Sequence, residues 1–311
     1  MNMKHNYKIY SIESIKGGVG KTTIALSLAK YLVDKGQNVL MINCDVVGTS
    51  CIKPLLASPL WKDSIETPNG EVNLMSFFGE YLRGNGNEVD LINKVGYGPG
   101  RIHLLDSDGF TDSGKSIMDP RDLMDELHSY WFREMIEKIS ESFEKMGGSD
   151  CQTSIILDNH TGHTGHIVSL HDWFRDLNPN RVQYILVTTP ETAQMYHLET
   201  YALGIISNTG EKESDLWGDY DNKEKYDAHQ EWKTKKPEEY IKILINNLPI
   251  YDYIDCPQGS ELWPVDSDGD PVNLIPYDTD IAEQFIPLVN VCAEPKDIEH
   301  IVTHIGDLIH G

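Results

Sequence analysis

The chain is predicted to fold as an α/β protein, with a mostly parallel, twisted sheet covered by helices on both faces. Three observations predict it. Short apolar runs alternate with helical patterns along most of the sequence, as parallel strands joined by crossover helices require. The octet Lys16-Gly17-Gly18-Val19-Gly20-Lys21-Thr22-Thr23 falls between the first strand pattern and the first helical one. The 311 residues are 40% hydrophobic, enough for a sizeable core. The whole of 1–311 is read as a single domain.

Taken in order, residues 7–14 alternate apolar and polar and give the first strand. The glycine-rich turn follows, then a helical pattern over 22–35. Val39-Leu40-Met41-Ile42 marks a second strand at 38–43. Residues 57–100 break the rhythm, with turn signals at Pro68-Asn69-Gly70 and Gly84-Asn85-Gly86. They are read as a variable segment. A strand at 101–106, a helix over 120–146, a strand at 153–158 and a helix over 166–176 come next. A strand at 182–189 and a helix over 191–205 follow. Residues 207–240 are dense in charge and aromatics (Trp217, Tyr220, Tyr226, Trp232, Tyr240). That insertion reads equally as a surface helical segment and as a partner-docking lobe. Strands at 241–246 and 272–276 and a helix over 280–290 complete the alternation. At the C-terminus, Ile298, Ile301, Val302, Ile305, Leu308 and Ile309 recur at helical spacing. The polar face of that helix offers Asp297, Glu299, His300, His304 and Asp307 and lacks the basic residues of a membrane-surface helix. It is expected to dock on the protein's own sheet.

Charge narrows the function. Asp and Glu number 49 against 26 Lys and Arg, a formal net charge of −23 that disfavours nonspecific DNA binding. Cys44, Cys51, Cys151, Cys256 and Cys292 are scattered without a C-x-x-C, which argues against a metal-cluster carrier. No apolar run approaches the roughly 18 residues of a membrane span. The chain reads as cytoplasmic, and neither a membrane nor DNA is an expected partner.

The octet has the chemistry of a phosphate-binding loop. Gly17, Gly18 and Gly20 let the N–H groups of the loop, Val19 included, point inward around a phosphate. The helix that opens at Thr22 and Thr23 adds donors and a positive dipole end. Lys21 can reach the β- and γ-phosphates, and the Thr22 hydroxyl can sit on Mg²⁺. The usual first glycine is replaced by Ile15, and a second lysine, Lys16, opens the loop. Asp266-Ser267-Asp268-Gly269-Asp270 lacks the glycine and glutamate spacing of a calcium loop and reads as an acidic turn.

The K-G-G-x-G-K-T-T form resembles the deviant Walker A motif of the ParA/MinD ATPases. The resemblance implies that Lys16 reaches the nucleotide of a second subunit. It implies that Asp45, at the end of Asn43-Cys44-Asp45, orients the attacking water. Asn43 stands where that family often has a first aspartate. Ser154-Ile155-Ile156-Leu157-Asp158 resembles a Walker B strand, so Asp158 is expected to hold Mg²⁺. Thr161-Gly162-His163-Thr164 resembles the switch segment of the ArsA-type branch. His160, His163 and His166 are read as part of this loop rather than as a metal site. Asn246 is implied to read the adenine edge, and Leu274-Ile275-Pro276-Tyr277-Asp278 resembles an I-P-x-D segment that places Pro276 and Asp278 near the base. ATP and Mg²⁺ are the implied cofactors. The implied function is a slowly hydrolysing ATPase that forms a homodimer with ATP and positions or regulates a protein partner. Two alternatives stand beside it. One is a P-loop synthase or kinase acting on a small molecule. The other is a weakly hydrolysing regulator in a multi-protein system such as phage defence.

Overall fold

Runs of branched and aromatic residues, buried on both faces, build the central strands, as a parallel sheet demands. The structure is a computed structural model. It describes residues 7–45, 65–66, 74, 78, 101–107, 126–147, 152–162, 164–210, 223–246, 274–275 and 295–310. The strands are β1 (Tyr7–Glu13), β2 (Asn38–Cys44), β3 (Ile65–Glu66), β4 (Ile102–Leu105), β5 (Thr153–Asn159), β6 (Val182–Thr188), β7 (Ile241–Asn246) and β8 (Leu274–Ile275). The helices are α1 (Lys21–Asp34), α2 (Glu126–Gly147), α3 (Gly165–Arg175), α4 (Thr192–Gly210), α5 (Lys223–Trp232), the single turn α6 (Pro237–Tyr240) and α7 (Pro295–His310). A 3₁₀ turn at Pro179–Arg181 leads into β6.

The sheet runs β3-β4-β2-β5-β1-β6-β7-β8, and every neighbouring pair is parallel. Side chains alternate across it and sort into two cores. Ile9, Ile42, Leu157 and Leu186 face α2, α3 and α4, and that layer also buries Trp232 and Tyr240. Tyr10, Ile12, Met41, Ile156 and Val187 face α1 and α7. Register places Ile12 and Asn43 on either side of Asp158, so the carboxyl ends of β1, β2 and β5 are level. In such sheets ligands bind at that end.

Most expected elements are present, with ends moved by a residue or two. The short β3 lies inside the variable 57–100 segment, where no strand is expected; two residues carry no periodicity. The helix expected at 191–205 continues to Gly210. The helix expected over 280–290 and the acidic turn at 266–270 lie outside the described residues, as do Trp217 and Tyr220. In the 207–240 insertion, Trp232 and Tyr240 are core residues rather than surface aromatics. Their rings meet edge to face at 4.9 Å, and Trp232 Nε1 donates to the Leu177 carbonyl at 2.9 Å. Charged neighbours on the outer face hide this burial from the local pattern.

The C-terminal helix packs along α1 and into the core that α1 shares with the sheet. Its Val302, Ile305 and Ile309 join the core under α1, and His310 Nε2 lies 3.2 Å from the Tyr10 hydroxyl of β1. Gly306 permits the approach to α1, since a Cβ there would lie 2.2 Å from Tyr31 Cδ2. Gly306→Ala is expected to force the helices apart and cost about 1–3 kcal/mol, the usual range for overpacking. Denaturant midpoints of the two proteins check this.

Candidate functional site

The turn between β1 and α1 depends on backbone only glycine adopts freely. Gly18 and Gly20 have φ of +76° and +96°. Gly20 also has no room for a side chain, because a Cβ would lie 2.7 Å from Asn246 Nδ2. Helix α1 starts with no side-chain cap and no acidic residue in its first turn. Its leading N–H groups therefore remain available to an anion.

Two groups at this turn are poorly matched by the protein itself. The Lys21 side chain is largely buried, yet Nζ donates to a neutral hydroxyl, Thr161 Oγ1, at 3.0 Å. Burial pulls its ammonium below the ordinary lysine range, while Asp158 and Asp45 oppose the shift. Asp158 accepts from Thr22 Oγ1 at 2.6 Å through Oδ2, and its Oδ1 is buried without a hydrogen-bond partner. A buried ammonium on a hydroxyl and a buried carboxylate oxygen on nothing are both costly. An anion beside Lys21 and a cation between Thr22 and Asp158 would satisfy them. The donor set, a hydroxyl and a carboxylate, suits Mg²⁺.

Asp158 is fully enclosed. Burial drives its carboxyl up to about 6, with Thr22 and Lys21 opposing and Asp45 and Asp106 adding to the rise. The folded chain then holds this proton more tightly than the unfolded chain does. The resulting stabilisation is complete below the ordinary aspartate range, near pH ~4, and is lost as pH rises through about 6. Asp158→Asn does not ionise. Without nucleotide or Mg²⁺, it is expected to exceed wild type in stability above that pH by up to about 3 kcal/mol. The gap should close in acid. Thermal melts of both proteins across this pH range check it, and a pH-independent gap would contradict the assignment.

Asp45 is anchored through its backbone. Its N–H donates to Asn43 Oδ1 at 3.0 Å, and its carbonyl accepts from Ser107 Oγ at 2.7 Å. Asn43 Nδ2 donates to Asp106 Oδ1 at 2.6 Å, and the Ser107 N–H donates to the same oxygen at 2.9 Å. Asn43, standing where the resembling family often has an aspartate, thus donates to a carboxylate from the residue after β4, Asp106. The sequence reading missed Asp106 and Ser107. The available signal was a third strand pattern ending in an aspartate.

The segment after β5 closes over the turn. The Gly162 N–H donates to the Ser14 carbonyl at 2.9 Å, and Thr161 holds Lys21. His160 Nε2 lies 3.7 Å from Asp45 Oδ1. His166 is instead a core residue against Phe132, and burial pulls its ring down to about 4, with His160 adding to the shift. His163 lies outside the described residues. Among the described residues, no three His, Cys, Asp or Glu side chains converge as a metal cluster.

Lys16 stands at the mouth of the turn, half exposed, with Nζ 3.0 Å from Glu191 Oε2. Asn246 lies over the turn, but its Nδ2 donates to the Val19 carbonyl at 2.9 Å, a contact that adenine reading did not anticipate. Pro276 and Asp278 lie outside the described residues. Lys16, Gly17, Gly18, Val19, Gly20, Lys21, Thr22, Asp45, Asp158 and Asn246 are therefore brought to one end of the sheet, with Thr23 in the first turn of α1.

Residues 10–194 match the CobQ/CobB/MinD/ParA nucleotide-binding domain. Over 76 residues the chain is 42% identical to an uncharacterized ATP-binding protein of Methanocaldococcus jannaschii. That match covers 24% of this chain and 29% of the relative, so less than a third of the relative's length is spanned. The septum site-determining protein MinD of Pyrococcus horikoshii OT3, complexed with Mg-ADP, superposes with a TM-score of 0.53 at 17% identity, covering 97% of this chain and 92% of that one. A ParA family ATPase from Chlorobium tepidum TLS superposes with a TM-score of 0.54 at 16% identity, covering 99% of each chain. At such identities the structural likeness speaks for the fold. No helix among the described residues is long and apolar enough to cross a membrane.

Proposed function

The chain belongs to the CobQ/CobB/MinD/ParA nucleotide-binding domain family, and from that premise we propose that it is an ATP-driven switch that hydrolyses ATP slowly and dimerises in its ATP state. The observation that carries this reading is the pair of ill-matched groups at the turn. Among the described residues, the hydrogen-bond partner of the Lys21 ammonium is a hydroxyl, with Asp158 and Asp45 acting on it through charge, and Asp158 Oδ1 has no hydrogen-bond partner.

Each residue then has a task. The N–H groups of Gly17–Gly20 and the first turn of α1 cradle the phosphates. Lys21 leaves Thr161 for the β- and γ-phosphates and releases the segment after β5 to respond. Thr22 and Asp158 would hold Mg²⁺, which neutralises phosphate charge. Asp45, steadied by Asn43 and Ser107, orients the water. After hydrolysis Lys21 would return to Thr161 and hold the 160–162 segment again, so the surface offered to a partner would change with the nucleotide state. Calorimetry with Mg·ATP and a phosphate-release assay test the reading; a wild-type chain that binds no ATP would end it.

Lys16 supports the dimer. Its pair with Glu191 is half exposed, and such pairs contribute at most about 1 kcal/mol. A γ-phosphate offered by a second copy would readily take the ammonium. In an Asp45→Ala background, light scattering is expected to show a dimer with ATP and more monomer with ADP. Adding Lys16→Ala should weaken the ATP dimer about tenfold or more while nucleotide binding persists. Glu191→Ala should leave that dimer intact. A dimer indifferent to Lys16 and to nucleotide would contradict this arrangement.

A further inference from the structure

A second polar cluster lies beside the phosphate turn, and none of the roles above uses it. At its centre is Glu13, the last residue of β1 and 1% exposed. Glu13 Oε1 accepts from Ser11 Oγ at 2.5 Å and lies 2.9 Å from His171 Nε2. Oε2 accepts from the Tyr201 hydroxyl at 2.6 Å. Ser11 Oγ in turn accepts from Asn159 Nδ2 at 2.8 Å. Burial alone would raise the Glu13 carboxyl, but His171 and the two hydroxyls more than offset it and hold it below its ordinary range. The group is a stable buried anion with several donors.

Strand β1 and helices α3 and α4 meet on this one carboxylate, and β5 joins them through Ser11. Strand β1 delivers the phosphate turn. Strand β5 contributes Asn159, which stands between Asp158 and the segment that holds Lys21. Helix α3 begins just after that segment and contributes His171. Helix α4 contributes Tyr201, and Glu191, just before its start, pairs with Lys16. Two neighbouring atoms, Asn159 Oδ1 and the Tyr184 hydroxyl, are buried without a hydrogen-bond partner. The Tyr184 ring lies 5.2 Å from His171. The cluster therefore has unused bonding capacity, which allows a second discrete arrangement in place of a continuous drift.

We infer that Glu13 is a positioning residue: through Ser11 it orients Asn159 and the start of the 160–162 segment, and through His171 and Tyr201 it passes movement of that segment to α3 and α4. The inference rests on the proposed ATP switch and specifies the route by which nucleotide state leaves the site. A purely structural buried carboxylate would hold the fold without making α3 and α4 sense the γ-phosphate.

Hydrogen exchange over residues 165–175 and 192–207 separates the two. It is measured with Mg·ADP and with a non-hydrolysable Mg·ATP analogue, in wild type, Glu13→Gln and Tyr201→Phe. Wild-type exchange in these helices is expected to differ between the nucleotides by about fivefold or more. Both variants should lose most of that difference while calorimetric affinity for the analogue changes far less. Tyr201→Phe removes one hydroxyl and keeps the ring, so it carries the test even if Glu13→Gln folds poorly. A nucleotide-bound wild type with no difference in α3 or α4 would overturn the inference, as would variants that keep the full difference. A wild type that binds no nucleotide would instead remove the switch reading, and this inference with it.

Discussion

Lys21→Ala is expected to abolish ATP binding without unfolding the protein. The ammonium is the loop's own cation for the triphosphate, and charge-assisted hydrogen bonds are the strong ones. Losing its bonds to two phosphates should cost about 3 kcal/mol or more, roughly a hundredfold in Kd. The apo fold should survive, because the hydrogen bond that Lys21 makes is to a neutral hydroxyl, and the loss of its charge beside Asp158 is met by that carboxyl holding its proton more tightly. Calorimetry with Mg·ATP, beside a thermal melt of the apo variant, measures both halves. Wild-type affinity would sink the assignment of the loop. Loss of the fold would mean that Lys21 holds the structure together rather than waiting for a ligand.

The second large effect is on turnover. Asp45→Ala is expected to keep ATP binding and to slow phosphate release by about 10²–10⁴-fold, the range for a positioned acid–base group. The anchoring of this residue makes the experiment clean. Asn43 and Ser107 hold the backbone of Asp45, and those bonds survive the substitution. The carboxylate itself lies toward His160 and the phosphate end of the sheet. Single-turnover hydrolysis checks the prediction. Unchanged phosphate release would place water orientation elsewhere, with His160 the next residue to replace.

The fold was legible because its determinants are local and periodic. Apolar runs such as Ile155-Ile156-Leu157 announce buried strands, and the octet at 16–23 announces an anion turn by its glycines and lysines. Asp158 was legible for the same reason, as a carboxylate ending a buried run. What stayed hidden depends on partners distant in the chain. Asn43 looked like an imperfect match until Asp106 met it across β2 and β4. Glu13 gave no signal, since a buried glutamate and an exposed one read alike, and two of its partners, His171 and Tyr201, lie on helices far along the chain. Trp232 and Tyr240 were misread because a charged segment can bury its aromatics one face at a time. Asn246 was placed at the right strand end, but its bond to the Val19 carbonyl becomes visible only once β7 lies beside the turn.

The strand order bears on how the chain is made. Strands β1 and β2 follow one another in sequence but never touch in the sheet, because β5 lies between them. A ribosome that has released only the first two strands has produced two edges with no ladder to join them. The gap is filled only after residues 45–152 have been synthesised. Pairings of such long separation fold slowly, and they leave apolar strand edges open while they wait. The turn after β1 gains its acidic counterpart, Asp158, only when β5 slots into the middle of the sheet.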